Sequence, residues 1–143
     1  MGALILPPSG LIYLDSSPII YSLEKIEPYC SQMAPLWTAV SNGKHRVVTS
    51  ELSWLETLTK PLRENNAPLE TLYRDFLSAD ELDLIPVNIH IWEQAARLRG
   101  LGLKTADALH AATAIAVACT AFITNDPVFS RVPNLHAVVL CKL

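Results

Sequence analysis

Leu11-Ile12-Tyr13-Leu14-Asp15-Ser16-Ser17-Pro18 is an apolar run, a single acid and a helix start. Four successive apolar residues suit a strand covered on both faces, since a strand with one wet face alternates polar and apolar. Ser17 offers an N-cap and Pro18 an N1 residue, so a helix to about residue 25 follows. The same phrase recurs along the chain. Residues 46–49 (Arg-Val-Val-Thr) read as a second strand, and Ser50 caps a helix to about Thr59 that Lys60-Pro61-Leu62 breaks. Residues 121–124 (Ala-Phe-Ile-Thr) read as another strand, with Asp126-Pro127 opening a helical turn over residues 127–131.

The intervals fill with helical patterns. One covers residues 29–41 and stops at Asn42-Gly43. Another spans 68–78. Residues 82–87 form a strand, and Asn88 caps a helix to about residue 101. Gly102 and a Lys104-Thr105 cap lead into an alanine-rich helix over 106–119, and residues 137–140 form a last strand. Strands alternating with helices predict an α/β fold of three layers, a mostly parallel central sheet with helices on both faces. In such sheets ligands bind beyond the carboxyl ends of the strands.

The chain has 143 residues, one domain's worth, and no tract rich enough in Pro, Gly or Ser to divide it; residues 1–143 are expected to form one domain with residues 1–10 as a leader. Half the residues are hydrophobic, yet no apolar run reaches the roughly 18 residues of a membrane span. The longest, residues 111–123, reads as a buried helix running on into a buried strand. The start MGALILPPSG lacks the basic region and cleavage pattern of a signal peptide, so a cytoplasmic protein is expected. The three cysteines show no metal-ligand spacing and are expected to be reduced and mostly buried. A net charge of −3 argues against gripping nucleic acid by bulk positive charge alone.

Acids gather where the fold would place a ligand. Asp15 follows the first strand and Asp126 the fourth; Glu51 and Glu56 lie in the helix after the second, and Asp107 in the first turn of the alanine-rich helix. Each has a structural alternative. Asp107 suits a helix dipole, Asp126 an N-cap, and Glu51 is read as a first-turn acid. Asp15 sits where nothing structural requires a charge. Carboxylates converging from distant segments repel one another without a cation, and hard ions such as Mg²⁺ or Mn²⁺ prefer oxygen ligands.

These segments resemble the PIN-domain family. Leu14-Asp15-Ser16-Ser17-Pro18-Ile19-Ile20-Tyr21 is similar to its opening motif. Thr49-Ser50-Glu51-Leu52-Ser53-Trp54-Leu55-Glu56 is similar to the second, in which the catalytic Glu lies six residues after the Ser; that selects Glu56 over Glu51. Asp107-Ala108-Leu109-His110-Ala111-Ala112-Thr113-Ala114 resembles the third, and Ile123-Thr124-Asn125-Asp126 followed by Phe129 the fourth. The resemblance implies a PIN-like endoribonuclease using Mg²⁺ or Mn²⁺, with Asp15, Glu56, Asp107 and Asp126 holding the metal or its water. Ser16, Thr124 and Asn125 would orient those ligands. Many single-domain members are the toxin of a type II toxin–antitoxin pair and are often dimeric, which implies RNA as substrate, an antitoxin partner and a homodimer.

Among the basic residues, Lys60 and Arg63 are the leading phosphate contacts, because they follow the helix that carries Glu56. His110 shares a helical face with Asp107 and is read as a hydrogen-bonded structural histidine rather than a phosphate contact. Trp37, Trp54 and Trp92 fall on apolar helical faces and are assigned to core or interface packing. Trp37 and the apolar first helices, incompletely covered by a small sheet, predict a partner surface. Two other functions compete. An aspartyl phosphatase would use Asp15 as nucleophile, but haloacid-dehalogenase-like enzymes want a second Asp where Ser17 stands. A PIN-like scaffold that has lost catalysis would show lost acids, and all four are present.

Overall fold

A computed structural model describes residues 2–143. Five strands, β1 (Gly10–Leu14), β2 (His45–Ser50), β3 (Leu82–Ile85), β4 (Ala121–Thr124) and β5 (Ala137–Val139), form one sheet in the order β3-β2-β1-β4-β5. Every pairing is parallel. Six helices alternate with them: α1 (Ser16–Leu23), α2 (Tyr29–Ser41), α3 (Leu52–Arg63), α4 (Ala67–Leu77), α5 (Ile89–Arg99) and α6 (Thr105–Ala116). The expected three-layer α/β fold is the one found.

The period-2 geometry of the strands divides the core in two. Ile12, Leu14, Val47, Ala121 and Ile123 point to one face and pack with Ile19, Met33, Leu36, Leu58, Tyr73 and Leu77 from α1–α4. Tyr13, Val48 and Phe122, the residues between them, point to the other face and meet Ile91, Ala95 and Leu98 of α5 and the alanines of α6. Ala108, Ala111 and Ala114 are fully buried, because a small side chain lets α6 lie close on the sheet. Gly10 opens β1 at φ 112; a Cβ there would stand 2.6 Å from Thr120, so only glycine fits this approach. No described helix is long and apolar enough to cross a membrane.

Several local expectations need correction. Ser17 does not cap α1; Asp15 does, its carboxylate accepting the Ser16 N–H at 2.8 Å. α3 begins at Leu52 behind Glu51 and continues through Pro61 to Arg63. An interior proline costs about 3 kcal/mol in an exposed helix. Here Pro61 is buried in packing, and the break falls instead at Asn65 (φ 52) and Asn66, which caps α4 through Leu69 N–H. α6 ends at Ala116 rather than 119, closed by Cys119 N–H donating to the Ala114 carbonyl around Ala118 at φ 52. β3 stops at Ile85, and none of the three cysteines is fully buried: Cys30 and Cys119 are half-buried and Cys141 is exposed.

Candidate active site

The strand order reverses beside β1, where β2 lies on one side and β4 on the other. Loops leave that point in opposite directions and open a crevice at the carboxyl ends of the strands. β1 and β4 run in register, Leu14 opposite Ile123, and the next residues up are Asp15 and Thr124. The Asp15 N–H donates to the Ile123 carbonyl at 3.0 Å, and the Thr124 hydroxyl donates to Asp15 Oδ2 at 2.8 Å. That hydroxyl also accepts the Asp126 N–H at 3.1 Å, so Thr124 joins the acids at the ends of two neighbouring strands.

Asp15 is only 7% exposed. Burial raises its pKa above the ordinary carboxylate value; the His110 ring and the Thr124 and Ser16 bonds lower it without cancelling that effect, and the Glu56 charge adds to the rise. Asp107, half-buried in the first turn of α6, is also raised, by burial first and then by Asp15, Asp126 and Glu56. The charges of the other three acids therefore bear on Asp107 from the same end of the sheet. Glu56 reaches the crevice from α3. Asp126 is the most exposed of the four and accepts the Val128 N–H at 3.0 Å, so its N-cap role is real as well. Among the described residues no Lys or Arg pairs with any of these four acids.

His110 is fully buried at the floor of the crevice. Its Nε2 is 2.5 Å from Glu56 Oε1 and 3.7 Å from Asp15 Oδ1, and its Nδ1 is 2.7 Å from the Tyr13 hydroxyl. Burial opposes a charge on the ring most strongly, but the Glu56 bond and the charges of Asp15, Glu56 and Asp107 together outweigh it and raise its pKa. The structural assignment of His110 holds, yet the group it supports is one of the site acids. Tyr13 escaped sequence reasoning altogether, because a tyrosine in a buried strand reads as core. The i, i+3 spacing of Asp107 and His110 was the only visible signal.

The remaining site candidates divide. Thr124 touches Asp15, and Ser16 does so through its backbone. Asn125 turns away: its amide donates to the Tyr21 hydroxyl at 2.9 Å and its carbonyl accepts the Cys141 N–H at 2.8 Å. Glu51 is not a first-turn acid: it precedes α3 without a cap bond, and its carboxylate accepts the Val87 N–H at 2.8 Å, tying the turn after β2 to the segment after β3. Lys60 is held by Glu24 at 3.2 Å, and Arg63 is exposed at the end of α3. Trp37 is half-buried; it packs edge-on against Phe76 of α4 and donates to the Ser22 hydroxyl. The exposed large apolar side chains are Ile5, Ile26 between α1 and α2, Leu55 and Leu62 of α3, Leu72 of α4, Ile89 and Trp92 of α5, and Leu101.

The donor set is all hard oxygen, four acids against the single buried His110 ring, and that excess of negative charge suits Mg²⁺ or Mn²⁺. No three His, Cys, Asp or Glu side chains among the described residues already form a ready-made cage. Ions that keep several of their waters do not need one.

A family model described as PIN domain matches residues 12–135. No curated protein matches the chain. Solved structures do. VapBC2 from Rickettsia felis, bound to a DNA fragment from its promoter, is similar at a TM-score of 0.68 with 20% identity, over 90% of this chain and 98% of that one. A toxin–antitoxin complex from Klebsiella pneumoniae gives 0.67 with 22% identity, over 90% and 96%. FitAcB from Neisseria gonorrhoeae gives 0.68 with 17% identity, over 92% and 99%. At these identities the likeness is one of fold.

Proposed function

This chain belongs to the PIN-domain family, and on that premise we propose that it is a metal-dependent endoribonuclease, the toxin of a toxin–antitoxin pair. The observation that carries the proposal is the crevice itself. Four carboxylates from four separate segments meet at the switch point of a parallel sheet with no Lys or Arg among them and only the buried His110 ring beneath, and two have raised pKa values. Burying unpaired acids costs stability, and a fold keeps such a cluster when a cation is to occupy it.

Asp15, Glu56, Asp107 and Asp126 would hold Mg²⁺ or Mn²⁺ directly or through its waters. When bound, the ion supplies an activated water and positive charge beside the phosphate under attack. The protein's own part is placement. Thr124 and the Ser16 N–H fix Asp15 from both oxygens, and His110 fixes Glu56. In-line attack by water leaves a 5′-phosphate and a 3′-hydroxyl. Arg63, and Lys60 if phosphate displaces Glu24, are the nearest candidates for the RNA backbone, on the helix that carries Glu56.

Partners follow from the neighbours and from the surface. One neighbour is described as a toxin–antitoxin complex, and the apolar residues left exposed on α3–α4 and on α5 give an antitoxin and a second copy of the chain surfaces to cover. The chain would act as one domain in the cytoplasm. Incubation of purified protein with a panel of RNAs, with Mn²⁺ or with EDTA, tests the assignment. Cleavage should require the metal and leave 5′-phosphate ends. Products ending in 2′,3′-cyclic phosphate would implicate the RNA's own 2′-hydroxyl and overturn the mechanism.

A further inference from the structure

The bonds around His110 specify which of its nitrogens carries a proton. The Tyr13 oxygen accepts the Ser50 N–H at 3.1 Å, and a backbone N–H can only donate. The hydroxyl proton of Tyr13 is then left for its other partner, His110 Nδ1 at 2.7 Å. Nδ1 accepts, so Nε2 carries the proton and donates it to Glu56 Oε1. A second proton on the ring would leave Nε2–H in place. Only the tautomer protonated on Nδ1 alone would remove it, and Tyr13 and Glu56 both oppose that form. The ring is held besides by its T-shaped contact with Tyr13, whose own ring stacks on Phe122 at 5.0 Å. All three side chains are fully or nearly fully enclosed, Tyr13, His110 and Phe122 having no exposure.

Resting on the nuclease assignment above, we propose that Tyr13 and His110 are positioning residues that occupy Glu56 Oε1 and leave Oε2 as the one oxygen Glu56 offers to a cation, so that the site selects Mg²⁺ and Mn²⁺ against Ca²⁺. The two classes of ion differ in what they ask of a carboxylate. Mg²⁺ takes six ligands in a strict octahedron, accepts carboxylates through one oxygen and keeps several waters. Ca²⁺ takes six to eight oxygens and is commonly held by a carboxylate through both. A Glu56 with one oxygen already bonded meets the first demand and fails the second. The selecting element is then a buried tyrosine hydroxyl and a ring that never touch the ion.

The test is made on the full chain, with two readouts that do not depend on cleavage. In the metal-free protein, ¹⁵N shifts of the His110 ring should show a proton on Nε2. A ring protonated on Nδ1 alone overturns the proposal. Calorimetric titration with Mn²⁺ and with Ca²⁺ should show wild type preferring Mn²⁺. In His110→Leu, Mn²⁺ binding should weaken by about 10-fold or more, the usual cost of losing a partner behind a metal ligand. Ca²⁺ binding should weaken less, so the preference narrows. His110→Gln, which keeps an N–H donor, should restore most of the preference, and Tyr13→Phe should narrow it less than His110→Leu does; this variant keeps the ring stacking and serves if the buried His110 changes do not fold. A chain that binds Mn²⁺ but keeps its preference unchanged in every folded variant defeats this proposal alone. A chain that binds neither ion defeats the nuclease assignment with it.

Discussion

Asp83 and Asp15 stand on strands of one sheet and have opposite fates. Asp83, on the edge strand β3, meets Arg46 of β2 through two bonds of 2.7 and 3.2 Å, and that partner lowers its pKa. Asp15, at the end of the central strand β1, has hydrogen bonds but no Lys or Arg, and its pKa is raised by burial. The pair at the edge is half exposed and complete in itself. The acid at the centre is enclosed and surrounded by three more acids. Acidity along the chain is therefore a poor guide to a site, whereas acidity without a Lys or Arg partner, in a place that burial makes costly, is a good one.

The largest effects should separate acids that serve the crevice from acids that serve the scaffold. Glu56→Gln is expected to lower cleavage by about 100-fold or more, the lower range for losing a group in the chemistry of proton transfer or metal binding. Glu51→Gln should leave cleavage near wild type, because the amide oxygen can still accept the Val87 N–H. Cleavage assays on both variants at one Mn²⁺ concentration decide it. Equal losses would place Glu51 in the site and undo the distinction.

Next in size is the response to metal. An ion that binds only the native state at ten times its dissociation constant adds about 1.4 kcal/mol. For a domain of this length that is roughly 3–6 °C in melting temperature. Wild type should gain this with Mn²⁺ over EDTA. A Glu56→Gln protein should gain less, while a variant at the edge pair such as Asp83→Asn should gain as much as wild type. A wild-type melt indifferent to Mn²⁺ would mean the four acids do not form one cation site.

Sequence made the architecture and the four acids visible for a physical reason. Buried strands must be apolar at every position, and an acid just past such a strand has few structural excuses. The end of β4 at Thr124 and the cap of α5 at Asn88 follow from local chemistry and were legible for that reason. What stayed hidden depends on distant contacts. Pro61 looked like a helix breaker until its burial was known. Trp37 looked available until Phe76 of α4 was found against it. Asp15 looked free of structural duty, yet it caps α1. The hydrogen bond between Tyr13 and His110 joins residues 97 apart in the chain, and nothing local to either announces it.

Smaller effects should appear when each class of acid is neutralised in turn, in EDTA. Asp107→Asn removes a charge that Asp15, Asp126 and Glu56 all disfavour, so it should melt at or above wild type. The helix dipole opposes the gain, since an acid in the first turn of α6 is worth about 0.3–1 kcal/mol. Asp83→Asn loses its ion pair and should melt below wild type. Thermal melts of the three proteins side by side are sufficient. If both variants lose stability alike, the crowding of acids in the crevice carries no energetic weight.

The most delicate contrast is in pH, where the two kinds of acid should pull in opposite directions. Asp15 and Asp107 have folded pKa values raised above the ordinary 3.8, so in acid the folded state holds protons that the unfolded chain releases. Their stabilising contribution is complete below about pH 3.8 and is lost as pH rises through the folded values. His110, raised from 6.5, behaves alike in a higher window: its contribution is complete below 6.5 and is lost as pH rises through its folded value. Asp83 is lowered, so its contribution is present above 3.8 and is lost as pH falls through its folded value. Between about pH 4 and 8 the crevice groups therefore set the trend, and the metal-free protein should melt progressively lower as pH rises. A full proton of difference between the two states is worth about 1.4 kcal/mol per pH unit. Mn²⁺ should flatten the decline, because the ion stabilises the ionised acids and protons compete with it at low pH. Asp107→Asn should remove part of the slope, whereas Asp83→Asn should leave it intact above pH 4. Melts in EDTA that instead rise steadily from pH 4 to 8 would mean the crevice acids are as well compensated as Asp83, and the difference between centre and edge would vanish.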